Sequence, residues 1–216
     1  TTFYFERPEG FEYKAGQFAH IFFPNCKPYF FSFASAPYEK ELMIATRYRP
    51  DSLFKQSLYA LNVGEEMEVG MPYGNFILHE EDSIPAIFLA GGIGITPFLS
   101  MVKQAHYEKK QQQQDIFYVN KTSQDALFYT NSQKKLSTEE QLRIMKTALR
   151  LTEKKEPFIR DLFKLQSQNH YLTFTPFSPF PMDIEDIPNY EKAKFYLCGS
   201  PKSVENFKKL LETVKI

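Results

Sequence analysis

The chain has 216 residues, with 26 basic side chains against 26 acidic, 43% hydrophobic residues and 16% aromatics, the last supplied by 22 Phe and 13 Tyr. At roughly 100–150 residues per domain this length allows one large domain or two small ones, and the apolar share is enough for a buried core. The balanced charge excludes a global field for nucleic acid or an anionic membrane, and two distant cysteines, Cys26 and Cys198, exclude the spacing of an iron–sulfur or zinc site.

Residues 1 to about 80 read as short strands separated by turn signals, the pattern of a barrel or sandwich. Thr2 to Phe5, Gln17 to Phe23, Tyr29 to Ala36, Leu42 to Tyr48 and Glu66 to Val69 are the expected strands. Between the last two, Ser52 caps a short helix over Leu53–Leu61 that stops at Asn62 and Gly64. Met71-Pro72-Tyr73-Gly74-Asn75-Phe76 is a turn leading into one more short strand. The chain opens inside a strand and reads as an excerpt from a longer protein.

The second half changes period. Ala86 to Ala90 is an unbroken apolar run, as in a parallel strand buried on both faces. Gly91-Gly92-Ile93-Gly94 follows, then a helix from Pro97 to Lys109. Asp115–Asn120 and Ala193–Cys198 are further strands, the latter followed by Gly199-Ser200-Pro201 and a helix over Ser203–Val214. Phe158–Leu165 reads as a helix and Tyr171–Phe174 as a strand. This alternation predicts βαβ units on a parallel sheet. The run from Ile84 to Met101 is too broken by Gly and Pro for a membrane span, and the start of the chain carries no signal-peptide pattern.

Three features carry chemistry. Leu89-Ala90-Gly91-Gly92-Ile93-Gly94-Ile95-Thr96-Pro97 takes a buried strand through a glycine turn into a helix, whose N-terminus offers free N–H groups to a pyrophosphate. It is not the GxGxxG fingerprint, and packing alone would also account for its glycines. Cys198-Gly199-Ser200-Pro201 ends a strand of the same sheet, where ligands of open parallel sheets gather; a small buried thiol is the plainer reading. Tyr29-Phe30-Phe31-Ser32-Phe33-Ala34-Ser35 alternates, so Tyr29, Phe31 and Phe33 share one face and Phe30, Ser32 and Ala34 the other. That face suits a flat ring with polar edges, or simply a core. His20, His79, His106 and His170 stand outside any motif.

AGGIGITP, CGSP, FSFAS and MPYGNF occur in the order and spacing of the ferredoxin–NADP reductase superfamily, which the chain resembles over nearly its whole length. The resemblance implies an N-terminal antiparallel flavin-binding β-barrel over residues 1–82, then a parallel-sheet α/β nucleotide-binding domain over 83–216. A helical insertion is expected near 127–155. The implied cofactors are FAD, with FMN as the alternative, and NADPH or NADH. Ser32, Thr96 and Cys198 are the residues expected nearest the electron transfer. Tyr29, Phe31, Ser32, Phe33, Arg47, Ser52 and Gly74 are expected around the flavin. Gly91, Gly92, Gly94, Thr96, Pro97, Lys121 and Gly199 are expected around the nicotinamide nucleotide.

Three departures from the family pattern stand out. Phe31 takes the usual Tyr place, keeping the stacking ring without its hydroxyl. Tyr29 takes the usual Arg place and removes a charge that pairs with flavin phosphate in the family; Lys27, Arg47, Arg49 or the helix after Ser52 are the candidate replacements. Ser200 interrupts the usual CGP. The reading is a relay from NAD(P)H through flavin to an unidentified acceptor, with no metal and a cytosolic setting. The alternative class is a degenerate module that binds a nucleotide or serves as an interaction domain.

Overall fold

The computed structural model describes residues 1–119, 157–177, 189–213 and 216. Five strands come first: β1 (Thr2–Glu6), β2 (Phe18–Phe22), β3 (Tyr29–Ser32), β4 (Glu41–Ala45) and β5 (Glu68–Val69). They form two antiparallel sheets, β1-β4 and β3-β2-β5. Tyr29 to Ala34 stitches the two together. Its first four residues pair with β2, and then the Ala34 N–H donates to the Met43 carbonyl of β4 at 2.7 Å. This transfer is why β3 is shorter than the strand expected through Ala36. Inward residues Ala19, Ile21, Phe31, Phe33, Leu42 and Ile44 form the barrel core with Phe54 and Leu58 of helix α1 (Leu53–Ala60).

The expected N-cap is present: the Ser52 hydroxyl accepts the Lys55 N–H at 3.3 Å. The short strand expected after Phe76 is absent, and the residues from 77 to 85 run as turn and coil.

The second unit is a four-stranded parallel sheet of order β8-β7-β6-β9. Its strands are β6 (Ala86–Gly91), β7 (Gln114–Val119), β8 (Leu172–Phe177) and β9 (Lys194–Cys198). All six residues of β6 are buried, as an unbroken apolar run in a central parallel strand should be. Ala86, Phe88 and Ala90 face a core shared with α2 (Ile95–Tyr107) and α3 (Pro157–Gln168). Ile87 and Leu89 face the other layer, with Phe207 and Leu211 of α4 (Pro201–Thr213). A helix therefore covers each face of the sheet.

The two units share one core, since Ala34, Met43 and Ala45 of the barrel belong to the cluster built on Phe88, Phe98 and Leu99. Helix α2 is the hinge-pin of that contact. Its Ser100 hydroxyl donates to the Ser35 carbonyl at 2.6 Å, and its Lys103 pairs with Glu39 at 3.1 Å and Asp161 at 3.6 Å. These links hold the end of β3 opposite the carboxyl ends of β6 and β9.

Candidate functional site

The chain passes from β6 to β7 and β8 on one side of the sheet, then returns to β9 on the other side of β6. The carboxyl ends of β6 and β9 thus flank a switch point, where two connections leave in opposite directions and open a crevice. A cleft of about 700 Å³ lies there, between those strand ends and the barrel. That size falls within the roughly 300–1,000 Å³ of small-molecule sites.

One wall is backbone. Gly91 leads through a single 3-10 turn, Gly92–Gly94, into α2. Gly92 holds φ at +57°, a conformation that costs other residues. A Cβ on Gly94 would lie 2.3 Å from the Cys198 carbonyl oxygen, and one on Gly91 would lie 2.8 Å from the Ser203 Cβ. The glycines are therefore required first for the turn to nest against β9 and α4. The approach of a ligand to bare backbone follows from that nesting. Helix α2 starts two residues earlier than expected, with no side-chain cap at Gly94. Pro97 sits buried in its first turn, where a missing N–H costs nothing. The Thr96 hydroxyl donates to the Ile93 carbonyl at 3.0 Å, which leaves its oxygen as an acceptor.

Cys198 and Gly199 complete that wall. Burial pushes the Cys198 thiol up to about 11, and the Gly199 N–H only partly offsets this. At neutral pH the group is a neutral, polarisable thiol rather than a nucleophile. Ser200, the departure from the family pattern, caps α4: its oxygen accepts the Ser203 N–H at 3.2 Å.

The opposite wall is aromatic. Tyr29 and Phe31 pack on Phe54 at ring-centroid distances of 4.8 and 5.8 Å. Lys55 lies over them, with Nζ 4.7 Å from the Tyr29 centroid and 4.5 Å from that of Phe31. Its ammonium donates to the Thr46 hydroxyl. Burial, reinforced by the nearby Arg49 charge, lowers Lys55 to about 8. Arg47 reaches across from the end of β4, its guanidinium 3.2 Å from where a Gly92 Cβ would stand.

Tyr29, Phe31, Ser32, Arg47, Gly91, Gly92, Gly94, Thr96, Cys198 and Gly199 all line this cleft. Four expected residues lie elsewhere among the described residues. Phe33 is 1% exposed in the barrel core, 4.6 Å from Tyr13. Alternation placed it on the face of Phe31, but that face turns inward once the strand crosses to β4. Ser52 spends its hydroxyl on the α1 cap. Gly74 holds φ at +103° in a turn packed on Phe18. Pro97 is enclosed by its helix. Lys121 and the 127–155 insertion lie outside the described residues. Lys55, Thr46, Ser203 and Asn206 line the cleft without having been expected. A Ser-Pro-x-Ser start to α4 was a readable cue for Ser203, whereas nothing in the sequence marks Lys55.

The oxidoreductase NAD-binding domain family matches residues 88–209. The chain belongs to that family. Its fold, an antiparallel barrel followed by the nucleotide-binding sheet, is that of the ferredoxin–NADP reductase superfamily. A cytochrome P450 reductase of Amycolatopsis superposes with a TM-score of 0.73 at 19% identity, covering 99% of this chain and 61% of that one. A ferredoxin NADP+ reductase of Neisseria gonorrhoeae, solved with FAD and NADP bound, gives 0.67 at 19%, covering 99% and 85%. At these identities the likeness is one of fold. In sequence, the reductase component of propane 2-monooxygenase from Rhodococcus jostii is 27% identical over 215 residues, 95% of this chain. Methane monooxygenase component C of Methylosinus trichosporium is 30% identical over 124 residues, 56% of this chain and 36% of its own. The chain spans only 53% of the length of the propane relative. No helix among the described residues is long and apolar enough to cross a membrane.

Proposed function

We propose that this member of the oxidoreductase NAD-binding family is a flavin-dependent NAD(P)H oxidoreductase module, with FAD as its flavin. In this reading it delivers electrons to an oxygenase partner of the kind named for its relatives. The observation that carries the proposal is the cleft itself. It sets the Tyr29–Phe31 aromatic wall opposite a glycine turn, an uncapped helix start and the Cys198–Gly199 strand end.

The residues fit both nucleotides. The aromatic wall offers flat faces to a ring system, and Ser32 offers a hydroxyl at its edge. Arg47 and Lys55 are the charged side chains lining the cleft, and no carboxylate lines it among the described residues, so the lining suits phosphate groups. The Gly92–Gly94 turn and the start of α2 present backbone N–H groups and a positive dipole end to a pyrophosphate. A flavin held there would accept a hydride from the nicotinamide and release electrons singly or in pairs, chemistry that belongs to the cofactor.

The chain's own part is positioning and exclusion of water. The shared core and the Ser100–Ser35 bond fix the spacing of the two walls. Thr96 and Cys198 line the cleft as a neutral acceptor and a neutral thiol, so neither would place a charge beside a bound ring. The division at 82/83 follows the change from antiparallel to parallel pairing, and we assign the barrel to flavin and the sheet to nicotinamide.

The test is the visible spectrum of the purified protein mixed with FAD, before and after anaerobic NADPH or NADH. A bound flavin band that bleaches is the expected result, and the faster donor gives the specificity. A protein that retains no flavin refutes the assignment. Bound flavin that neither donor bleaches refutes the nicotinamide half of it.

A further inference from the structure

Two lysines among the described residues are enclosed, and they are treated differently. Lys103 is 8% exposed and lies between two carboxylates, Glu39 at 3.1 Å and Asp161 at 3.6 Å. Lys55 is 7% exposed, yet among the described residues no carboxylate stands within ion-pairing distance of it. Its recorded partners are one hydroxyl, on Thr46, and the faces of Tyr29, Phe31 and Phe54. An ammonium has three N–H donors and a full charge. A single neutral acceptor and ring faces leave most of that capacity unused, and enclosing a charge without a counter-ion is costly.

The location says what is absent. Lys55 lines the cleft on the aromatic side. Arg47 lines the same cleft and Arg49 acts on Lys55 through space. Arg49 is itself paired to Asp51, 3.0 Å away on the exposed side. The other polar side chains of the lining are hydroxyls, the Cys198 thiol and the Asn206 amide. Cations therefore converge on a space that no described carboxylate enters.

We infer that Lys55 is the residue that binds the phosphate of the flavin nucleotide, pairing with it at the edge of the Tyr29–Phe31 wall. The inference rests on the flavin reading above and deepens it. It also gives the position of Tyr29 a physical sense. A neutral ring there supports the Lys55 ammonium from below by cation–π attraction, where a second cation would repel it. The charge needed for phosphate is delivered from α1 instead of from β3. Thr46 acts as a positioning residue that fixes the ammonium's direction.

Binding a phosphate restores the favourable environment of the charged form, so the ligand takes up a proton wherever the free amine has lost one. With the free group titrating at about 8, FAD affinity is level below that pH and falls above it. Kd rises about tenfold between pH 7 and pH 9 on this linkage.

Flavin fluorescence quenching on the full chain measures this, using FAD and riboflavin as paired probes. Riboflavin carries the same ring without phosphate, so ring titration cancels in the ratio of the two affinities. FAD is expected to bind more tightly than riboflavin, and that advantage should shrink about tenfold from pH 7 to pH 9. Lys55→Met should weaken FAD about 10- to 100-fold, leave riboflavin within twofold, and flatten the pH dependence. Lys55→Arg should retain most of the FAD advantage.

An FAD-to-riboflavin ratio in the unmutated protein that does not change with pH overturns the inference without any substitution. So does Lys55→Met weakening both flavins alike, which would make the lysine a support for the ring wall only. If neither flavin binds the unmutated protein, the flavin reading itself falls and takes this inference with it.

Discussion

Replacing Gly94 by alanine tests the site at its tightest point. Gly94 is buried with φ near −60°, a conformation that alanine adopts freely. Local propensity therefore expects little change, because the added methyl also reduces the freedom of the unfolded chain. Tertiary packing expects the reverse. The new Cβ would stand 2.3 Å from the Cys198 oxygen, 2.4 Å from its carbonyl carbon and 2.6 Å from the Gly199 nitrogen. All three are backbone atoms at the carboxyl end of β9, so no side-chain rotation relieves the contact. Overpacking of this kind costs about 1–3 kcal/mol, and the backbone partners put Gly94 at the upper end. For a chain of this size, about 2–3 kcal/mol lowers Tm by roughly 4–12 °C. The turn must also retreat from β9, so binding of the nicotinamide nucleotide should weaken about tenfold or more. Gly10→Ala is the control, since its φ is +72° but nothing lies within 4 Å of the new methyl. It should show a backbone cost of about 1 kcal/mol and unchanged nucleotide binding. Thermal melts and nucleotide titrations of both variants decide the matter. A Gly94→Ala protein as stable as the parent, with intact binding, would refute the claim that glycine is needed there for packing.

The remaining expectations concern titration and burial. Because burial holds the Cys198 thiol at about 11, only about 0.1% is thiolate at pH 8, so its alkylation should lag far behind that of a free thiol and keep accelerating up to pH 11. Mass spectrometry after iodoacetamide treatment reads this directly; rapid labelling at pH 8 would contradict it. Tyr13 is pushed up to about 12 by burial and donates to Ser35, at 3.0 Å to the carbonyl or 2.9 Å to the hydroxyl. Tyr13→Phe should cost about 1 kcal/mol in urea unfolding, the net loss of one buried hydrogen bond, since the Ser35 carbonyl keeps the Ser100 hydroxyl as a donor. Asp115 is buried on β7, and desolvation raises its carboxyl above the ordinary value. Its folded-state pKa exceeds its unfolded one, so its contribution is fully present below the unfolded pKa near 3.8 and is lost as pH rises through the folded pKa. Asp115→Asn should therefore raise Tm at pH 7, and the gain should vanish in acid; an equal gain at both pH values would point to a cause other than charge burial.

Much of the fold was legible because its signals are local. Ala86 to Ala90 has no polar residue to spare for solvent, so it had to be a strand covered on both faces. Ser52 has the hydroxyl an N-cap needs, three residues before the N–H it accepts. The strand–glycine–helix run placed the glycine turn and the start of α2 to within two residues, the error arising where the chain tightens into a 3-10 turn before the helix. Period-two alternation put Phe33 with Phe31, but alternation says nothing about where along a strand the cover ends. Phe33 passes under the crossing to β4 and out of the cleft. Ser52 and Gly74 match family motifs, yet here one hydroxyl is spent on a cap and the other residue serves a turn against Phe18.

By itself the sequence determined the order of elements, the parallel sheet and the two motif-bearing strand ends, since these follow from residue type and period. Only the tertiary structure decided that Gly94 must be glycine, because the reason is a carbonyl oxygen more than one hundred residues further along the chain. Only the tertiary structure, too, turned Lys55 from a polar residue of a short helix into an enclosed cation facing the cleft. Its ammonium is held over Tyr29 and Phe31, and contacts between residues distant in sequence leave no periodic trace in it.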